Sequence, residues 1–351
     1  MTYTVTLQPS GHTFLAEANE SILEAGLRQG VALPYGCRGG VCGACAATLL
    51  SGQVHYPFGE PQGLAPYEEE RGKAFLCMAA AASDVVMDAP RVGAEPDIEI
   101  KALPVRVEKL RKLADDVMEM TLKLPASERL RFFAGQYIDI LLKDGKRRGF
   151  SLANAPFNDQ LLELHIRHVP GGQFTSHVFN EMKEKALLRI EGPLGSFYLR
   201  DSERPVILMG GGTGFAPLKG MLEQMMAQGI DKPVHLYWGV RAKADLYMDS
   251  VVRSWVSRHP QLTYVPVLSE PLAADAWTGR TGWVHAAVAA DFPDLAGYDV
   301  YLSGPPPMVN AAKTVFLAQG LPEEQLYYDS FEYSPDTLKA IQEKAPSAVT
   351  R

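Results

Sequence analysis

The chain has 351 residues and a formal net charge of −7, with 46% apolar and 21% charged residues. That length allows roughly two or three domains, each with its own core. The acidic balance argues against a nucleic-acid surface, and no apolar run reaches the length of a membrane span.

The opening "MTYTVTL" alternates apolar and polar residues and lacks a basic stretch before an apolar one. It reads as a strand, not a secretory signal, so the protein is expected in the cytoplasm with reduced cysteines. "YTVTL" and "TFLA" predict two strands around a turn at Gly11. "SILEAGLRQG" predicts a helix with a Ser21–Glu24 capping box and a closing Gly30. The stretch "CRGGVCGACAAT" comes next, then a Pro/Gly-rich connection, "YPFGEPQGLAP", and two late strands in "AFLCMA" and "DVVMDAP".

Three of the four cysteines lie within nine residues, as Cys37-x4-Cys42-x2-Cys45, and Cys77 comes after 31 more. This is the plant-type ligand spacing for a 2Fe–2S cluster. Two irons need four thiolates converging from a tight loop and one distant segment. Gly36, Gly39, Gly40 and Gly43 let the backbone wrap closely and aim N–H groups at sulfur. Zinc sites more often pair two C-x2-C knuckles, and only one occurs here. Inert buried thiols have no reason to bunch among glycines. The metal ligands are therefore expected to be Cys37, Cys42, Cys45 and Cys77.

Residues 93–102, with Gly93 and Pro96 and no apolar periodicity, read as a linker between a first domain at 1–92 and a second at 103–202. The second holds six short β patterns: "VRVEKL", "VMEMTLKL", "QYIDILL", "GFSLAN", "LLELHIRHV" and "ALLRIEG". They predict a small six-stranded antiparallel barrel. From Pro205 strands alternate with helices: "PVILMG", "APLKGMLEQMMAQG", "VHLYWGV", "YMDSVVRSWVSRH", "TYVPVLSE", "YDVYLSG", "PPMVNAAKTVFLAQG" and "QLYYDSF". Residues 203–332 are expected to form an open, mostly parallel α/β sheet. The tail, 333–351, is polar with one short helical stretch.

Residues 1–92 resemble a plant-type ferredoxin domain, which implies a β-grasp fold. "RRGFSLAN" resembles the R-x-[YF]-S motif of the ferredoxin–NADP reductase superfamily. The resemblance implies FAD, with Arg148 on the flavin nucleotide's phosphate, Gly149 and Phe150 along the flavin, and Ser151 bonding near the reactive N5. "HIRHVPGGQFTSHVF" resembles the second phosphate clamp. It implies cofactor contacts from His165, Ile166, Arg167, Gly172, Gln173, Thr175 and Ser176, beside Gly171 at a helix start. His165 and His168 are three apart on a strand and face opposite sides, so they are rejected as a metal pair.

"VILMGGGTGFAP" is a strand, a glycine loop and a helix beginning near Pro217 at its first position. Gly210, Gly211, Gly212, Thr213 and Gly214 offer backbone to a pyrophosphate. It is not the G-x-G-x-x-G fingerprint, but after R-x-F-S it resembles the superfamily's NAD(P) loop. Arg241, ending "YWGVR", is a candidate for the cofactor's phosphate or ribose and equally for a solvated surface arginine. Lys243 nearby does not settle NADPH over NADH, and the reading leans to NADH. "YLSGPPPMV" resembles the C-G-P-P-x-M motif beside the nicotinamide and supplies Gly304, Pro305 and Met308, with Ser303 in place of the usual cysteine. Phe331 and Glu332 stand where relatives place a residue over the flavin face. With Ser151 and Ser303 they form the expected catalytic set.

The order of cluster, flavin and nicotinamide resembles the iron–sulfur flavoprotein reductases. These include the components serving bacterial oxygenases and the CDP-6-deoxy-Δ3,4-glucoseen reductases. The resemblance implies an NAD(P)H-dependent electron-transfer reductase. Its acceptor would be a partner protein, an oxygenase component or an iron–sulfur dehydrase. A redox sensor without steady turnover and a free-flavin reductase with a vestigial cluster remain as alternatives.

Overall fold

Residues 1–89, 98–333 and 337–338 are described by the computed structural model. They separate into two units: Met1–Ile98 with Gly195–Phe197, and Glu99–Leu194 with the described chain from Tyr198 onward.

In the first unit, alternation produces β1 (Thr2–Gln8) and β2 (Thr13–Glu17), which pair antiparallel with Val5 opposite Phe14. Helix α1 (Ile22–Arg28) starts where the Ser21 hydroxyl accepts the Glu24 N–H at 3.2 Å, and it buries Ile22, Leu23 and Ala25. Next come β3 (Ala46–Ser51), β4 (Val54–His55), α2 (Pro66–Glu69), β5 (Lys73–Phe75), β6 (Ala80–Ala81) and β7 (Val85–Asp88). The main sheet runs β2-β1-β7-β3-β5. Its central pair, β1 and β7, is parallel, and β3 is antiparallel to both its neighbours. This mixed sheet with helix α1 and the short α2 is the expected β-grasp. One expected strand is shorter than its sequence: "AFLCMA" stops at Phe75. The Met78 and Ala79 N–H groups both turn back to the Phe75 carbonyl, so Cys77 sits in a turn.

The second unit begins with β8 (Lys101–Ala114), β9 (Val117–Lys123), β10 (Tyr137–Leu141), β11 (Arg147–Ser151), β12 (Leu161–Arg167), α3 (Gln173–Asn180) and β13 (Leu187–Leu194). All six expected barrel strands are present, in the order β11-β10-β13-β8-β9-β12. A Leu152–Leu164 bridge joins the two end strands and closes the barrel. Every second residue turns inward. Val105, Val107, Met120, Leu122, Ile138 and Leu162 are among the buried core side chains, each contributing about 1.5–3 kcal/mol by burial. Strand β8 starts at Lys101, inside the stretch expected as a linker (93–102); residues 93–97 of that stretch lie outside the described residues. So does the tail 333–351, apart from Tyr333 and residues 337–338.

The same unit continues with β14 (Val206–Gly211), α4 (Phe215–Gln228), β15 (Val234–Val240), α5 (Asp249–Val256), β16 (Leu262–Leu268), β17 (Arg280–Thr281), α6 (Val284–Asp291), β18 (Asp299–Gly304), α7 (Pro306–Ala318) and β19 (Leu326–Ser330). The sheet order is β17-β16-β15-β14-β18-β19, and every pair is parallel. Strands β14 and β18 are buried along their whole length, as expected of central strands covered on both faces. The chain order reverses at β14/β18, the kind of switch point at which α/β sheets bind ligands beyond the carboxyl ends of their strands. Helix α4 starts at Phe215, so Pro217 is its third residue, not its first. A proline is tolerated there because the N–H groups of the first turn have no helical partner. Strand β17 and helix α6 have no forerunner in the expected elements; "VHAAVAAD" is alanine-rich and has no apolar stripe.

Candidate functional site

In the first unit the loop Cys37–Cys45 and the turn after β5 bring the four cysteines together as two pairs. The Cys42 thiol donates to the Cys37 sulfur, and the Cys45 thiol to the Cys77 sulfur. The Cys42 thiol, helped by the N–H groups of Cys42, Gly39 and Val41, holds Cys37 below the ordinary thiol range against the opposing effect of burial. The same pairing, with burial, pushes Cys42 and Cys45 up. The Gly39 and Cys42 N–H groups lie 3.4 Å from the Cys37 sulfur, and the Cys37 N–H lies 3.4 Å from the Cys42 sulfur. Gly40, at φ +72°, adds an N–H to Cys77; a Cβ there would come within 2.8 Å of Met78. Four sulfurs in two pairs, ringed by amide donors that favour negative sulfur, fit a two-iron cluster in which each iron takes two thiolates.

In the second unit β11 carries the Arg148–Ser151 motif at the barrel edge. Arg148 is half-buried and Gly149 exposed. The half-buried Phe150 ring lies 5.6 Å from that of Phe174 in α3. Ser151 is buried, and its hydroxyl donates to Asp329 Oδ2 at 3.2 Å. Helix α3 is capped by Gly172 without a side chain, so the N–H groups of Gln173, Phe174 and Thr175 have no helical partner. The two predicted hydroxyls bond within the loop. Thr175 Oγ1 accepts the Val169 N–H at 3.1 Å, and Ser176 Oγ lies 3.3 Å from His168 Nε2.

The glycine loop meets three other segments at the β14/β18 crevice. A Cβ on Gly214 would strike the Ser303 carbonyl, and one on Gly211 would meet Met308 and Pro305. Gly212, at φ +56°, lies under the Arg167 guanidinium, where a Cβ would be 2.8 Å from Nη1. The buried Trp238 Nε1–H donates to the Gly212 carbonyl at 2.9 Å. Packing this close leaves no room for a side chain at Gly211, Gly212 or Gly214. Thr213 is half-buried and Arg241 exposed at the end of β15. Lys243 Nζ turns to the Asp275 carbonyl at 3.3 Å.

Ser303 is fully buried in β18, in register with Gly210 on one side and Asp329 on the other. Among the described residues no group bonds its Oγ. Next to it the Gly304 carbonyl accepts the Phe331 N–H at 2.9 Å. The structure thus brings together Ser151, Ser303 and Phe331 with Asp329, which sequence reasoning missed. Glu332 points back to the Ser330 hydroxyl at 3.0 Å. The one available signal for Asp329 was an acid inside the otherwise uncharged strand "LYYDS".

The His165 and Ile166 side chains are both buried. Ile166 fills the barrel core. His165, on the opposite face of β12, is covered as well: its Nε2 lies 2.8 Å from Glu163 and its Nδ1 3.0 Å from the Tyr247 hydroxyl. On that face His165 alone is buried, while Leu161, Glu163 and Arg167 are half-buried. The ligating atoms of Glu119, Glu163 and His165 lie within 4.8 Å of one another. Arg111 and Lys219 already neutralise the two carboxylates, so this cluster does not act as a cation site.

Three family models match the chain: a 2Fe-2S iron-sulfur cluster binding domain over residues 5–82, an oxidoreductase FAD-binding domain over 104–198 and an oxidoreductase NAD-binding domain over 208–314. The chain is 38% identical over 331 residues to the CDP-6-deoxy-L-threo-D-glycero-4-hexulose-3-dehydrase reductase of Yersinia pestis, covering 94% of this chain and 99% of that protein. It is 33% identical over 345 residues to the reductase component DmpP of phenol 2-monooxygenase from Pseudomonas sp. (strain CF600), covering 96% of each. Among solved structures it resembles a cytochrome P450 reductase of Amycolatopsis with a TM-score of 0.77 and 33% identity, over 94% of this chain and 98% of that one. No helix among the described residues is long and apolar enough to cross a membrane.

Proposed function

The chain belongs to the iron–sulfur flavoprotein reductases, and on that premise we propose how its own residues carry electrons from NAD(P)H to a partner protein. When bound, FAD takes a hydride's two electrons together and returns them one at a time, which is what a 2Fe–2S cluster accepts. Plant-type clusters work near about −400 mV, so the reduced centre is a strong donor. The acceptor is an oxygenase component or a dehydrase, as the relatives' names state for those proteins.

The observation that carries the reading is the paired set of four amide-lined sulfurs, in one chain with the converging segments at the β14/β18 crevice. In this reading residues 1–92 would hold the cluster through Cys37, Cys42, Cys45 and Cys77. Residues 103–202 would hold FAD, with Arg148 and the N-terminus of α3 for its phosphates and Phe150 for its ring. The Ser151 hydroxyl, oriented by Asp329, would supply a hydrogen bond to the flavin. Residues 203–332 hold the nicotinamide nucleotide, its pyrophosphate on Gly211–Gly214 and its ribose near Arg241. Phe331, whose N–H bonds the Gly304 carbonyl, would stand over the flavin and have to move for the nicotinamide to stack. NADH is the preferred donor, because the Lys243 ammonium is directed at the Asp275 carbonyl and not left for a 2′-phosphate. No disulfide joins the four cysteines, which suits a reducing cytoplasm.

The test is NADH-driven reduction of cytochrome c by the purified coloured protein. Sustained turnover is expected. A colourless protein holding zinc on four thiolates would overturn the reading.

A further inference from the structure

We propose that Lys219 is a positioning residue for the meeting of nicotinamide and flavin: its buried ammonium locks the helix after the glycine loop to the chain that continues from the flavin motif. The inference rests on the proposed electron-transfer function and concerns residues that touch neither cofactor.

The first eight residues of α4, Phe215–Leu222, are all buried, and Lys219 is the one charge among them, its side chain 5% exposed. A buried ammonium persists only when its donors are matched. Here each of three acceptors is within reach: the Ala153 carbonyl at 2.9 Å, Glu163 Oε2 at 3.1 Å and Glu223 Oε1 at 2.7 Å. The three come from three places. Ala153 is two residues beyond Ser151. Glu163 is on β12, four residues before the Arg167 that lies over Gly212. Glu223 is the next turn of α4.

Each acceptor is itself fixed. Glu223 Oε2 accepts the Ala155 N–H at 3.1 Å. Glu163 Oε1 faces His165 Nε2 at 2.8 Å. A carboxylate only accepts, so in the neutral ring Nε2 carries the hydrogen and the Tyr247 hydroxyl donates to Nδ1 at 3.0 Å. Tyr247 lies just past Arg241 and Lys243 beyond β15, so the loop offered to the nucleotide's ribose joins the same network. Asn154 closes it, accepting the Glu163 N–H at 2.8 Å and donating to the Asn158 carbonyl at 2.9 Å.

The packing shows what the lock holds. At Gly220, beside Lys219, a Cβ would lie 2.9 Å from the Asn154 carbonyl and 3.2 Å from that of Leu152. Helix and flavin-strand continuation therefore meet backbone to backbone. At its other end the helix starts with Phe215, stacked on Trp238 at 4.2 Å, and Trp238 holds the Gly212 carbonyl. A shift of α4 away from Ala153 would carry the glycine loop and Ser303 away from Ser151. Without the ammonium, Glu163 and Glu223 repel each other and drive that shift.

The test compares Lys219→Met and Tyr247→Phe with the wild-type holoprotein. Rapid mixing with NADH gives the limiting rate of flavin reduction and the apparent Kd. Amide hydrogen exchange without nucleotide reads residues 152–155 and 215–222. Lys219→Met is expected to lower the limiting rate about tenfold or more. It should keep the apparent Kd within about threefold and raise exchange in both segments together. Tyr247→Phe is expected to do the same to a smaller degree. A Lys219→Met rate within about twofold of wild type, or exchange rising in α4 alone, would overturn the proposal. If Lys219→Met does not fold, unchanged rate and exchange in Tyr247→Phe overturn it. If NADH fails to reduce even the wild type, the functional reading falls, and the exchange comparison alone decides the lock.

Discussion

Replacing Ser303 by alanine removes a single oxygen from the middle of the β14/β18 crevice. The hydroxyl is fully buried, and no described group bonds it. An unpaired buried hydroxyl costs about 1–3 kcal/mol. The void left by one oxygen, roughly 20 Å³, takes back about 0.5 kcal/mol. The net effect is a stabilisation of about 1.5 kcal/mol, which for a unit of this size raises the unfolding midpoint by about 3–6 °C. Scanning calorimetry with and without NAD⁺ measures it. Without nucleotide the variant melts higher. With saturating NAD⁺ the gap narrows, because the wild-type hydroxyl then has a polar neighbour that the methyl group cannot use. A Ser303→Ala midpoint below wild type in the absence of nucleotide would show that the hydroxyl is already paired, and would refute this account of the crevice.

Three further outcomes are expected. Cys42→Ser abolishes the iron–sulfur absorption and the NADH-driven reduction of cytochrome c but leaves the flavin reducible by NADH, as absorbance spectra will show. Asp329→Ala strips the buried Ser151 hydroxyl of its acceptor and costs about 1–3 kcal/mol. Asp329→Asn, which keeps an acceptor, recovers most of that loss in the same calorimetric scan. Glu163 gives a pH signature. Burial opposes its ionisation, but the His165 hydrogen bond and the Lys219 charge prevail and leave its folded pKa below the ordinary 4.5. A lowered carboxylate stabilises the fold above that ordinary value, and the contribution is lost as pH falls through the folded pKa. Glu163→Gln therefore melts below wild type at neutral pH, and the difference shrinks below pH 4.5.

Local signals carried much of the architecture. The cysteine spacing names its cofactor because ligand geometry limits how few residues can separate two thiolates. The barrel strands were legible through their alternation, and β14 and β18 through continuous apolar runs ending in glycine. What stayed hidden depends on contacts far apart in sequence. Asp329 meets Ser151 only because parallel pairing sets β19 beside β18 and the barrel edge comes to lie over both. Lys219 reads in sequence as an ordinary helix lysine, and its three acceptors come from segments up to 66 residues away. His165 and Ile166 were expected at the cofactor through the resemblance of "HIRHVPGGQFTSHVF" to a phosphate clamp; the burial of both side chains comes from packing that no local pattern records. Cys77 was expected on a strand, but the turn that presents it arises from backbone bonds to Phe75, which no side-chain pattern records.

The most direct measurement is anaerobic rapid mixing of the oxidised holoprotein with NADH, monitored at flavin and iron–sulfur wavelengths together. The account predicts that the flavin bleaches first and the cluster bleaches after it within the same turnover. A flavin that bleaches fully while the iron centre never changes would contradict it.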